Sequence, residues 1–170
     1  ASPNAATLNY TLLNITVSNN ANSGAILLSG TGTLNCNGNF QLNAYLVVTT
    51  IFRVTANGIL NVVGNCLSFQ MNSGSAFNIS TLAATLNWTG SMPVDYFNQN
   101  NWPFIGGLGS YTQSTINVVG NLRNSLSVGQ GGALYSTGVS NITGNILSIP
   151  NASSNGPILL NTGAICYVNG

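Results

Sequence analysis

Ile59-Leu60-Asn61-Val62-Val63-Gly64-Asn65 decides the fold, because it recurs. Thr33-Leu34-Asn35-Cys36-Asn37-Gly38-Asn39 precedes it, and Thr85-Leu86-Asn87-Trp88-Thr89-Gly90-Ser91 follows it. Thr115-Ile116-Asn117-Val118-Val119-Gly120-Asn121 and Val139-Ser140-Asn141-Ile142-Thr143-Gly144-Asn145 keep the same plan. The central Asn falls at 35, 61, 87, 117 and 141, with spacings of 26, 26, 30 and 24. A second echo pairs Gly24-Ala25-Ile26-Leu27-Leu28 with Gly156-Pro157-Ile158-Leu159-Leu160.

Around these motifs no helical periodicity survives, because Gly, Asn, Ser and Thr interrupt every window. Short β-branched runs recur between turn residues: 12–17, 25–28, 45–54, 59–63, 115–119, 145–149 and 157–160. Asn37-Gly38, Asn57-Gly58 and Asn155-Gly156 are turn dipeptides. The pattern predicts an all-β chain. Two architectures produce such a repeat. A β-sandwich or barrel-like head uses two-strand units with regular turns. A β-solenoid of about 26-residue coils is the alternative. The uneven spacing and the aromatic, Pro-containing segment 92–109 favour the sandwich or barrel.

Composition narrows the function. Of 170 residues, three are charged: Arg53, Arg123 and Asp95. There is no Lys, Glu or His, and Asn leads with 28 residues. Acid–base, paired-carboxylate and His-activated nucleophilic mechanisms need side chains that are missing. Three scattered Cys and one Asp do not make a zinc or calcium site. The expectation is no enzyme, no metal and no cofactor. Two Arg cannot form a phosphate-binding patch, so no nucleic acid is expected. The apolar stretch 45–48 is far short of the roughly 20 residues of a spanning helix.

With 44% apolar residues and 2% charged, the chain is not of the disordered type. Apart from Asp95, no side chain titrates between about pH 1 and 7. The fold should be nearly indifferent to acid, and trypsin has almost nowhere to cut. The start Ala1-Ser2-Pro3 reads as a mature chain after signal-peptide removal. The expected localisation is secreted, extracellular, at a cell surface.

Residues 7–17 carry an apolar stripe. Leu8, Tyr10 and Leu12 share one face of a strand, and after a phase slip Ile15 and Val17 lie on the other. Polar residues 18–23 follow as a hinge. Such a strand pairs within its own domain or fills a groove in a neighbour. Repeated head to tail, the second option makes an open filament.

On these features the chain resembles the thread-filament subunits of thermoacidophilic archaea, which are glycosylated cell-surface fibres joined by donor strands. The features are a mature start without a long apolar pilin helix, the stripe Leu8, Tyr10, Leu12, Ile15 and Val17, and sequons through a β head. The resemblance implies a donor tail, residues 1–18, and an acceptor head, residues 19–170. It implies a homopolymer serving adhesion or a biofilm. Threads do not require the internal echo, which keeps the solenoid in play.

Six sequons are present, at Asn9, Asn14, Asn78, Asn87, Asn141 and Asn151. Their number is what this composition yields by chance. The case for covalent N-glycans rests on compartment and on a surface without ions. Cys36, Cys66 and Cys166 are candidates for one disulfide, with no pairing indicated. Asp95, Tyr96 and Trp102 lie in the aromatic loop 92–109, which either folds back on the core end or binds a ligand such as a surface glycan. Rival readings to the donor-strand filament are a solenoid adhesin or fibre segment stacking end to end, a carbohydrate-binding module built on that loop, and a viral coat protein.

Overall fold

The computed structural model describes residues 7–11, 26–28, 30–44, 49–54, 57–71, 74–79, 83–93, 96–98, 104–106, 114–123, 132–136, 138–147, 157–160 and 162–170. Among these, strands fall in three columns. The first is a seven-stranded sheet of β1 (Thr7–Thr11), β3 (Thr33–Asn37), β6 (Ile59–Val63), β9 (Thr85–Thr89), β11 (Thr115–Val119), β14 (Val139–Thr143) and β17 (Ile165–Asn169). The second holds β4 (Phe40–Ala44), β7 (Cys66–Met71) and β10 (Tyr96–Asn98), then the pair β12 (Leu122–Arg123) and β15 (Ile146–Leu147). The third holds β2 (Ile26–Leu28), β5 (Thr49–Val54) and β8 (Gly74–Ile79), then the pair β13 (Leu134–Ser136) and β16 (Ile158–Leu160). Ile105 bridges Phe77 and Leu134 and joins the two parts of the third column.

The chain visits the columns in turn and returns one rung further on. This is a β-solenoid. Every strand pair among the described residues is parallel. The all-β expectation holds, and of the two architectures the solenoid is the one that forms. A sandwich built from hairpins would need antiparallel neighbours, and none is present among the described residues. The uneven spacing that argued for the sandwich is absorbed in the coils. Thr85 pairs with Thr115 across 30 residues, and Thr115 with Val139 across 24. The register of the first column stays one to one throughout.

The alternation of side chains explains why the repeat reads as it does. Leu34 and Cys36, Leu60 and Val62, Leu86 and Trp88, and Ile116 and Val118 point inward and are buried. The Thr/Ile, Asn and Asn/Thr/Val positions around them point outward. Inside, aromatic rings stack along the axis. Phe77 lies 5.1 Å from Phe52, 5.2 Å from Trp88 and 5.5 Å from Phe40, centroid to centroid. Phe104 and Met92, from the 92–109 segment, are buried in this core. Phe104 packs 5.0 Å from Phe69 and 5.6 Å from Trp88. That part of the segment folds back on the core.

The corner after the first column is set by glycine. Gly38, Gly64, Gly120 and Gly144 have φ of 128°, 155°, 150° and 138°. A Cβ on Gly64, Gly90, Gly120 or Gly144 would run into the carbonyl oxygen of the glycine one rung below. Only glycine lets the corners approach at rung spacing. Each corner N–H then bonds along the stack, as Gly64 N to Thr89 O and Gly120 N to Thr143 O, both at 2.9 Å.

No helix among the described residues is long and apolar enough to cross a membrane.

Candidate functional site

In-register parallel stacking places the same outward residue about 4.8 Å above its counterpart. In the first column that residue is Asn. A primary amide both donates and accepts, so a stack of them bonds to itself. Asn35 Nδ2 donates to Asn9 Oδ1 at 2.8 Å. Asn61 donates to Asn35, Asn87 to Asn61, Asn117 to Asn87 and Asn141 to Asn117, each at 2.7 Å. Six amides form one continuous ladder on the outside of the sheet. Each net bond contributes about 1 kcal/mol, and aligned amides polarise one another.

The ladder reaches one rung further than the five-member repeat predicts at its start. Thr7-Leu8-Asn9 stands 26 residues before Thr33-Leu34-Asn35, a signal hidden by its reading as a donor stripe. At the far end Tyr167 occupies the Asn position opposite Asn141. A second ladder runs through the corners. Asn39 Oδ1 accepts from Asn65 N, and Asn65 Oδ1 from Ser91 N, both at 2.9 Å. Asn121 Oδ1 accepts from Asn145 Nδ2 at 3.0 Å. These corner acceptors sit at the Asn that closes each repeat, a position the repeat displays without revealing its role.

The expected site residues are distributed as follows. Asn9, Asn87 and Asn141, three of the sequon residues, belong to the ladder. Asn78 lies in β8 with its Oδ1 buried and unbonded. Asn14 and Asn151 fall outside the described residues. Leu8 and Tyr10 lie in β1, which pairs with β3 of its own chain as the first rung. Leu12, Ile15 and Val17 of the donor stripe fall outside the described residues. So do Asp95 and Trp102 of the aromatic loop; Tyr96 opens β10.

The three cysteines are free thiols. The expected disulfide is not present, and for Cys36 and Cys166 the topology explains why. Cys36 stacks on Val62 and Cys66 on Phe40. Cys166 stands five rungs from Cys36 along the sheet, about 24 Å at strand spacing. A disulfide needs Cα atoms within about 7 Å. Burial pushes the Cys36 thiol up to about 11 and raises those of Cys66 and Cys166. Neutral, buried thiols act here as small apolar residues.

Two surfaces are left with chemistry to offer. One is the outward face of the seven-stranded sheet, where Ile59, Val63, Val119 and Val139 are exposed beside the ladder. The other is the edge of β17, paired on one side with β14 and exposing Ile165, Tyr167 and Val168. Among the described residues, no group of three or more His, Cys, Asp or Glu gathers at any point. Neither a family model, nor a curated protein, nor a solved structure matches this chain.

Proposed function

We propose that this chain is a non-catalytic, extracellular structural protein, a β-solenoid segment of a thread-like cell-surface fibre that serves adhesion or a biofilm. The observation that carries this reading is the uninterrupted, in-register ladder from β1 to β17. A stack of identical rungs is extended by adding another rung, and its two ends have the same strand direction. The outer edge of β17, unpaired among the described residues, receives β1 of the next copy, with Ile165 opposite Thr7 and Tyr167 opposite Asn9 by the register of the sheet. This contact is heterologous and does not close, so it yields a fibre. It also covers an edge that would otherwise recruit strands at random. A near-total lack of charge suits a medium in which ion pairs would titrate, and N-glycans away from the ladder would supply the hydrophilic cover.

The donor-strand expectation becomes a second mode of the same head-to-tail contact, in which β1 leaves its own β3. The home pairing of β1 favours simple stacking. The test compares residues 1–170 with residues 19–170 by negative-stain microscopy and sizing chromatography. Fibres from the full chain are the expected result, and a monodisperse monomer at high concentration overturns the proposal. Fibres that persist in the shortened chain assign assembly to stacking of the body. Fibres that vanish and return on adding a peptide of residues 1–18 assign it to strand donation.

A further inference from the structure

We infer that the outward face of the seven-stranded sheet is a self-association surface, on which a second copy of this chain packs face to face. The inference goes beyond end-to-end growth and does not rest on it, since the face exists in a single subunit.

Three observations carry it. First, drying the face costs less than its Asn content suggests. A lone exposed Asn would leave its amide unpaired on covering, but Asn35, Asn61, Asn87 and Asn117 each donate to one neighbour and accept from the other. Each keeps one N–H and one oxygen lone pair, half of what an unpaired Asn would bring into the interface. Second, the columns flanking the ladder are β-branched at every rung except Asn37 and Asn169. Ile59, Val63, Val119 and Val139 are 40%, 53%, 50% and 37% exposed, and Thr33, Thr85, Thr89, Thr115 and Thr143 stand in the same two columns. Stacked β-branched side chains beside an amide ladder resemble the surfaces from which dry sheet-to-sheet interfaces are made. Third, among the described residues no charged side chain stands on this face. The two Arg lie in β5 and β12, in the other columns. Natural sheets use charged side chains to prevent such contacts, and the seven strands of this sheet carry none.

The area suffices. Seven strands about 4.8 Å apart and five residues long cover about 550 Å² per copy, or about 1,100 Å² for the pair. A specific interface needs about 1,000 Å². The contact is isologous and closes at two, so it pairs subunits or fibres side by side. It also excludes glycans on Asn87 and Asn141, because a sugar on either amide would stand in the interface.

The test is sedimentation velocity of residues 1–170 at low micromolar concentration, with negative-stain microscopy of any fibres. Three proteins are compared: the unaltered chain, the double variant Val63→Lys/Val119→Lys, and the control Leu67→Lys/Leu147→Lys, whose sites are equally exposed on the second column. Circular dichroism verifies that each is folded. The unaltered chain and the control are expected as pairs, either dimers or two-stranded fibres. The face variant is expected single, with pairing at least tenfold weaker. An unpaired wild type, or a folded face variant that pairs as well as wild type, overturns the inference. Glycopeptide mass spectra with sugar on Asn87 or Asn141 in paired material also overturn it. Loss of fibres with pairing intact counts against end-to-end growth alone.

Discussion

At the scale of the residue, the corner glycines and the ladder asparagines do different work. A methyl at Gly120 has no room, because the carbonyl oxygen of Gly90 occupies the site. Nothing lies within 4 Å of a Cβ on Gly30, whose φ is also positive, at 144°. Gly120→Ala is therefore expected to cost several-fold more than Gly30→Ala. About 3 kcal/mol or more is expected at Gly120, against about 1 to 2 kcal/mol of backbone strain at Gly30, in urea denaturation. In the ladder, position decides the cost. Asn87→Ala breaks two amide bonds and leaves Asn61 and Asn117 short of a partner. Asn9→Ala breaks one, at an exposed end. The central substitution is expected to cost about 1 to 3 kcal/mol and the terminal one about 1 kcal/mol or less. Equal costs would mean that the amides do not act as a chain.

At the scale of the element, the core depends on aromatic rings handed from coil to coil. Phe77 in β8 touches rings from β4, β5 and β9 and Phe104 as well. Phe77→Ala is expected to lose about 3 to 5 kcal/mol, read as a fall in the urea midpoint. A loss below about 1 kcal/mol would contradict a continuous aromatic core. The strands themselves were legible from residues. The run 59–63 is β6 and the run 115–119 is β11, because period-two alternation between an apolar core and solvent leaves a direct imprint. The repeat Asn-x-x-Gly-Asn also displayed the corner, since positive φ and close approach demand Gly. What the sequence did not settle was partnership. A strand with the stripe of Leu8 and Tyr10 fits its own β3 or a neighbour equally well by pattern. The 30-residue spacing after Thr85 looked like a break in the repeat, yet Thr85 and Thr115 pair in the same register as the 26-residue coils. The amide ladder was hidden for a related reason. Composition showed many Asn, but only parallel register places them one above another.

At the scale of the whole molecule, the scarcity of ionisable groups sets the response to pH. Asp95 is the one acidic side chain in the sequence, so acid has little to protonate. The buried thiols act at the other end. Burial raises the Cys36 thiol to about 11, against about 8.5 in an unfolded chain. Between those values the native state holds a proton that the unfolded state has released, so stability falls as pH rises. Below the unfolded value this contribution is fully present. The melting temperature is expected to stay level from about pH 2 to 8 and to decline above about pH 9. A decline on the acid side would contradict this account. Cys36→Ala is expected to flatten part of the alkaline slope.

The central claim is that subunits continue one another's rungs along a fibre axis. Cryo-electron microscopy of assembled residues 1–170 tests it most directly. The account predicts strands perpendicular to the axis at about 4.8 Å and a subunit rise of about 34 Å, the height of seven rungs. Fibres whose strands do not stack along the axis, or a chain that forms no fibres, would contradict it.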